Sequence, residues 1–544
     1  MNQDERIDRK THAILIAFCL AFGVALSILL GPDILWDTRN YHLYNAWAFL
    51  HDRYAKDIAA AGMQSYFNPL PDLPYFLLGN GPLNHWPRLL AGLQGLWFSA
   101  LVYVLFRIGA RLAALQQRRF NLADICAVLI GATGTMAVSQ AGSTTNELPL
   151  AVLVLIALYK LMALFRPAER SPDWHPSAWA GLCCGLAAGL KPTAMIYVPA
   201  LALALTAAPL SLKQILRHLA IFAATASAGF LVGYGGWAWH LFHLTGNPVF
   251  PLFNQIFHSN WIASVSGTDD QFKPHNLAQW LFYPFFWLRP SRRIVTEALF
   301  ADPRYALAMV SAAILSVACL VRRRSEQWNS PITRCLVIFF VCAYACWLVL
   351  FSILRYAIPM EALSGLLLLL TFRGFQPNWW GSTPRKALRN TVFIVLSIAV
   401  IAASRYPNWW RGRYGKQVFA VETGQIEPGS LVLLAGSPAA YVAPFFPGAD
   451  DVDFIGLTWF LQDAKGFHLW DATTNRIASH HGPIYAVVRD GIEPDNALLH
   501  ELLPDRHWID CRPIQSNLEI SRRGGTQLPE LKLCRATPAQ GESL

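Results

Sequence analysis

Charge is scarce in this chain of 544 residues: 14% are charged and 54% are hydrophobic, against roughly 25% charged in soluble domains. That deficit excludes an ordinary water-soluble globule. Strands of alternating polarity are missing as well, which argues against a transmembrane barrel. Neither a paired CxxC nor an HExxH pattern occurs, so no structural zinc site is expected. Internal repeats and low-complexity tracts are absent. The first apolar run, 11–30, has no small-x-small cleavage site before Pro32, so it reads as a retained anchor and not a removed signal.

What is present is a series of apolar runs of about 15 to 22 residues, the length that crosses a roughly 30 Å hydrocarbon core as helix. Helix is required there because lipid offers no partner to free backbone groups. Eleven spans are predicted, near 12–30, 88–106, 122–140, 147–165, 177–190, 193–210, 219–242, 304–321, 335–352, 357–372 and 388–404. The fifth and sixth are divided at Lys191-Pro192, because merging them places Arg322, Arg323, Arg324 and Arg334 outside.

The net charge of +10 is distributed to match. Arg111, Arg118 and Arg119, then Arg166 and Arg170, then Lys213 and Arg217 sit in short loops, where basic residues set topology. No interleaved basic and aromatic face points to nucleic acid. The predicted N-terminus is therefore cytoplasmic. Two aromatic-rich outer loops, 31–87 and 243–303, are expected to carry helices lying along the interface. The expected fold is an all-α polytopic membrane protein over 1–404, followed by a small extracytoplasmic α/β domain over 405–544. Its strand-like runs include Leu431–Ala435 and Ile484–Val488. Most cysteines fall inside apolar runs. Cys511 and Cys534 lie in the polar tail and are predicted to pair in an oxidising compartment.

Chemistry-bearing residues concentrate at the outer helix ends. If 37–48 is helical, Asp37, Tyr41, Tyr44 and Ala48 share a face. A carboxylate then stands among aromatic and amide groups (Tyr41, His42, Tyr44, Asn45) suited to stacking on and hydrogen-bonding a sugar. Alternatively Asp37 merely caps that helix. Glu147 opens the fourth span and is either a second working acid or a helix-end charge. Asp72, in Asn68-Pro-Leu-Pro-Asp72, reads as part of a proline-rich turn. Lys191 and Arg355 lie at outer helix ends. Each either snorkels or grips a lipid phosphate, for which Arg supplies a fork and Lys a point charge.

Trp36-Asp37 with Tyr41 and Tyr44, Glu147-Leu-Pro149-Leu150, Gly189-Leu-Lys191-Pro192-Thr and Arg355-Tyr356 with Pro359 occur in an order that resembles the GT-C superfamily of membrane glycosyltransferases. The chain looks most like the bacterial polyprenyl-phosphate-mannose mannosyltransferase branch, over about 1–372. The resemblance implies that Asp37 is the base on the acceptor hydroxyl and that Lys191, Arg355 and Tyr356 face the donor phosphate. It further implies direct, inverting transfer of a sugar such as mannose without a metal cofactor, in a bacterial inner membrane. The acceptor would be a glycan, lipid or protein. Glu147 stands where the family often has Asp. A transporter or flippase of lipid-linked saccharide, a non-catalytic scaffold, and a glycan ligase of the same superfamily are the rival readings.

Overall fold

The computed structural model describes residues 9–166, 173–264, 270–321, 328, 330–374, 383–490, 493–520 and 529–538. Arg170 and Arg322, Arg323 and Arg324 of the predicted inner loops lie outside those residues. Helix occurs in all eleven predicted stretches, and six helical segments are long and apolar enough to cross a membrane. These are Arg9–Leu30, Pro87–Leu115, Glu147–Phe165, Leu212–Thr245, Pro331–Leu350 and Leu354–Gly374. The remaining helices in the bundle are shorter, among them Leu122–Ala132, His175–Leu190, Arg304–Leu320 and Ala387–Ala403. Outward faces are apolar: Ile14 is 69% exposed, Val232 73% and Leu320 82%. Such surfaces are stable only against lipid. The chain is an integral membrane protein.

Helices meet through small residues, as expected where lipid removes any hydrophobic drive to associate. Gly131 lies against the Ala362 carbonyl, and Gly365 lies reciprocally against Ala127, so a Cβ at either position would collide with backbone. Leu122–Ala132 and the helix Ile358–Gly374 thus pack backbone to backbone.

The stretch 122–140, predicted as one span, breaks at Thr133–Gly134 into Leu122–Ala132 and Thr135–Ser139. Carboxylates explain the break. Glu361 accepts from the Met136 and Ala137 amides at 3.0 and 2.9 Å, and Asp302 accepts from the Thr135 hydroxyl at 2.8 Å. The buried Arg304 guanidinium spans both Asp302 oxygens at 3.0 Å and donates to the Ile130 carbonyl at 2.6 Å. The free amides of a new helix start are satisfied inside the bundle by acids, the charge sign that the helix dipole favours. The predicted division at Lys191-Pro192 is present. His175–Leu190 ends, Lys191 is extended, and a 3₁₀ turn Pro192–Ile196 leads into Tyr197–Leu205.

The tail forms a five-stranded mixed sheet. In chain order its strands are β2 (Leu431–Ala435), β3 (Asp453–Gly456), β4 (Ile484–Arg489), β5 (Arg506–Pro513) and β7 (Leu531–Pro538). A separate ribbon joins β1 (Val421–Glu422) to β6 (Gln515–Ser516). Strand order is β3-β2-β4-β7-β5, with β3, β2 and β4 parallel and β7 antiparallel to both its neighbours. Cys511 on β5 and Cys534 on β7 form a disulfide.

This sheet does not stand apart from the first outer loop. Ile58 extends it beyond β3, pairing with Ile455, and one apolar core joins Tyr44, Trp47 and Tyr66 to Val432, Phe454 and Phe460. The tie is a buried ion pair. The Arg53 fork holds Asp57 at 2.7 and 3.2 Å, donates to the Asp450 and Val452 carbonyls, and lies over the Trp47 ring. Asp57 also accepts from the Phe454 amide at 3.0 Å. Removing one partner of a buried pair costs about 3–5 kcal/mol because the other charge stays behind. Asp57→Ala is therefore expected to lower the unfolding temperature in detergent sharply, and an unchanged melting curve would contradict this account of the junction.

Candidate functional site

Charged residues from separate helix ends converge at one end of the bundle. Arg9–Leu30 ends there, Glu147–Leu161 begins, His175–Leu190 ends at Lys191, Pro331–Leu350 ends, and the 3₁₀ turn Leu354–Ala357 opens the last long span. Arg355 Nη1 lies 2.6 Å from Asp37 Oδ2, and its Nε lies 3.6 Å from Glu147 Oε1. Lys191 Nζ lies 2.6 Å from the same Glu147 oxygen and 2.9 Å from the Thr145 carbonyl. The Tyr356 ring sits beneath both cations, 5.7 Å from Lys191 and 5.6 Å from Arg355. Asp37, Glu147, Lys191, Arg355 and Tyr356 are thus one cluster, although more than 300 residues separate Asp37 from Arg355 in the chain.

Asp37 makes no cap hydrogen bond, and its own backbone is helical. Asp33 accepts from the Leu35 amide, just before the helix begins, at 2.8 Å. The other Asp33 oxygen takes the Thr38 hydroxyl at 3.0 Å and the Thr144 amide at 2.8 Å, stitching the first loop to the turn before Glu147. Asp33 was not singled out in the sequence, because Asp after Gly-Pro looks like any turn residue. Asp37 and Arg355 keep 14% and 18% of their side-chain surface, enough to meet a bound molecule. Burial pushes the Asp37 carboxyl up, but Arg355, with His42 and Lys191, more than offsets this and holds it below the usual carboxylate range.

Thr38–His42 is a π-turn. A π-turn adds about one residue to the turn, so everything after it is carried about 100° round the axis relative to the 3.6-residue period. The predicted shared face is broken accordingly. Tyr41 stays near the cluster and feels Asp37, Arg355 and Glu147. Tyr44 is turned away and donates to Asp57 at 3.0 Å, while Asn45 donates to the Gln64 carbonyl at 2.8 Å. Tyr44 is thereby tied to the junction with the sheet, and Asn45 is tied within the first outer loop. His42 faces Asp72, its Nδ1 2.7 Å from Oδ1, and Asn146 Nδ2 reaches the same oxygen at 2.7 Å. Asp72, read as a turn residue, is therefore a buried partner of the π-turn.

The tail grips this turn from the other side. Arg39 Nη1 lies 2.7 Å from Glu519, which also takes Arg489 at 3.0 Å and the Tyr441 hydroxyl at 2.9 Å. Arg411 donates to the Ser139 and Ala141 carbonyls at 2.6 and 2.9 Å, anchoring the chain before Glu147. Glu519→Ala leaves two buried guanidiniums without their carboxylate and loosens the segment carrying Asp37. The expected result is a clearly lower unfolding temperature in detergent, since removing one partner of a buried pair costs about 3–5 kcal/mol. An unchanged melting curve would contradict this account of how the tail holds the turn.

Beside the charged cluster lies a small open cleft. Glu147, Arg355 and Tyr356 close its polar end, and Leu150, Ala151, Val154, Ala194, Tyr197 and Pro359 line the rest. Two buried polar atoms at that end have no hydrogen-bond partner among the described residues, Glu147 Oε2 and Arg355 Nε. The Arg355 nitrogen is a donor and the Glu147 oxygen an acceptor, so the pair calls for an acceptor on one side and a hydroxyl on the other. No family model matches the chain, and no curated protein or solved structure matches it.

Proposed function

We propose that this protein is an inverting glycosyltransferase that moves one sugar, mannose by resemblance, from a polyprenyl-phosphate carrier to an acceptor hydroxyl at the outer face of a bacterial inner membrane. One observation carries the reading: a cluster of two acids and two cations caps an apolar cleft between membrane helices. A lipid phosphate needs that combination, with cations for its head and Leu150, Ala151 and Val154 along its chain. The full reading has eleven spans with a cytoplasmic N-terminus, which puts the cluster and the tail outside, and the exposed Leu277, Leu281, Phe282 and Phe286 at the interface.

The chemistry follows from the charges. A glycosyl phosphate carries its own leaving group, so the protein must deprotonate the acceptor and stabilise the departing phosphate. Arg355 and Lys191 take the phosphate oxygens, and Tyr356 holds both cations in place. Without donor, Arg355 is tied to Asp37 at 2.6 Å. A phosphate that engages Arg355 competes with that pair and releases the Asp37 carboxylate for the acceptor hydroxyl. Acceptor activation is thereby coupled to donor loading. Glu147 keeps Lys191 and Arg355 together between turnovers.

The test offers purified protein in nanodiscs a panel of short-chain polyprenyl-phosphate sugars beside nucleotide sugars, with the anomeric configuration of any product read by NMR. Transfer from the lipid phosphates alone, with inversion, is expected. Binding of the lipid without transfer to any acceptor would favour a flippase or scaffold, and transfer from nucleotide sugars would overturn the donor class.

A further inference from the structure

The stretch 277–293 carries a row of exposed apolar side chains and then three exposed arginines. A short helix, Leu277–Phe282, and a 3₁₀ turn, Tyr283–Trp287, form its apolar part. Trp280, Leu281, Phe282, Phe285 and Phe286 are between 39% and 54% exposed, whereas Tyr283 and Trp287 are buried.

The two buried rings fix where the segment sits. Trp287 packs against Tyr305, in the first turn of Arg304–Leu320, and against Trp347, in the last turn of Pro331–Leu350. The ring centroids are 6.0 and 6.4 Å apart. The Asp302 amide donates to the Trp287 carbonyl at 3.1 Å. The Tyr283 hydroxyl lies 2.6 Å from the Phe272 carbonyl oxygen and 2.8 Å from that of Ile294. At the same helix end Val349 and Leu350 are exposed. The apolar row is thus pinned at the ends of two bundle helices and continues their lipid-facing surface. That places it at the edge of the hydrocarbon, where Trp and amphipathic segments are favoured.

Charge follows at once. Arg289, Arg292 and Arg293 are all exposed. The Ser291 hydroxyl lies 3.1 Å from the Phe286 carbonyl oxygen and 2.8 Å from that of Arg289, and the Arg293 amide donates to the Thr296 carbonyl at 2.8 Å. The arginines therefore stand on a closed turn. Ala301 pairs through its backbone with Arg405, a fourth exposed cation. None of the four has an ion-pair partner among the described residues. The one acid in 277–301 is Glu297, which takes the Thr296 hydroxyl at 3.4 Å. Arginines beside an apolar face at the membrane edge meet the headgroup layer, and the guanidinium fork matches phosphate. A zwitterionic headgroup offsets its phosphate with an ammonium, and an anionic one does not.

We infer that 277–293 is a docking foot for anionic phospholipid, with its aromatic rings in the acyl boundary and Arg289, Arg292 and Arg293 on headgroup phosphates. The inference stands apart from the proposed transfer, because it needs only that the bundle lies in a bilayer. None of these residues lines the cleft beside Arg355, so bulk phospholipid and not the sugar donor is the occupant.

The experiment places the native protein and Trp280→Phe in vesicles of phosphatidylglycerol and phosphatidylcholine, with one of the two lipids brominated. The difference between the proteins isolates quenching of Trp280, and the lipid ratio gives the relative affinity at the foot. Each arginine near an anionic surface contributes roughly fivefold, so a preference for phosphatidylglycerol of about 10-fold or more is expected at low salt. It should erode as salt rises to about 1 M. With Arg289→Gln, Arg292→Gln and Arg293→Gln combined, the preference should vanish while both lipids still quench Trp280. If that variant fails to fold, the salt series on the native protein decides alone. Trp280 quenched by neither lipid would overturn the foot's place in the membrane. Equal quenching by both lipids at low salt, a preference untouched by salt, or one kept by the triple variant would overturn the headgroup assignment. Displacement of the brominated phosphatidylglycerol by an equimolar short-chain polyprenyl phosphate would make the donor the occupant and overturn the choice of phospholipid. Each outcome is read without sugar transfer, so failure here leaves the transferase reading intact.

Discussion

Asp37→Asn is expected to lose sugar transfer by a factor between about 10² and 10⁴, the range that a positioned base contributes. In barrier terms this is about 3–5 kcal/mol. Fold and donor affinity should survive. Asn has the same shape, its carbonyl still accepts from Arg355, and Asp37 holds no helix cap whose loss would loosen the loop. Donor binding should even strengthen slightly, because the phosphate no longer competes with a carboxylate for Arg355. The prediction separates kcat from binding, as removal of a group that acts only in the transition state does. It is checked by donor titration and turnover on the same preparation. Equal losses in both would mean that Asp37 serves only to hold Arg355.

Arg355→Ala is expected to damage both steps. Losing a charge-assisted hydrogen bond to a phosphate costs about 1.5–3 kcal/mol in binding, or roughly 10- to 150-fold in affinity. Loss of leaving-group stabilisation removes a further 10²- to 10³-fold or so from kcat. Arg355→Lys should recover little, because the guanidinium spans Asp37 and Glu147 at once and a point charge on a flexible stem cannot. A double-mutant cycle sharpens this. If Arg355 only pairs with Asp37, the double variant Asp37→Asn/Arg355→Ala behaves as Asp37→Asn. The account predicts instead that the double variant also loses donor binding, measured by competition with a labelled lipid phosphate.

The four charges of the cluster could be found in the sequence because charge at the end of an apolar run is rare and stands out. Lys191 before Pro192 and Arg355 before Pro359 mark helix ends that also read as breaks. What could not be read there is anything set by long-range pairing. The bonds of Arg39 to Glu519 and of Arg53 to the Val452 carbonyl link residues about four hundred or more apart in the chain. No local pattern announces such contacts. The sequence marks the tail as an α/β domain, and the core it shares with the first outer loop becomes visible only in the fold. The π-turn is equally silent in sequence, and it sets which way Tyr44 and Asn45 face and brings His42 to Asp72. The break at Thr133–Gly134 has a signal in the sequence: Asp302 and Arg304 border one apolar span, Glu361 lies inside another, and all three are ionisable. Such residues are costly in a membrane interior unless they pair with one another or with freed backbone.

The most direct measurement follows the bond between sugar and lipid phosphate. In a single-turnover quench, native protein and Asp37→Asn are loaded with a radiolabelled short-chain polyprenyl-phosphate sugar, and release of free lipid phosphate is timed. The account predicts rapid, acceptor-dependent release by the native protein and release at least about 10² slower by Asp37→Asn at equal donor occupancy. Stable donor binding with the sugar–phosphate bond intact in both proteins, whatever acceptor is supplied, would contradict it.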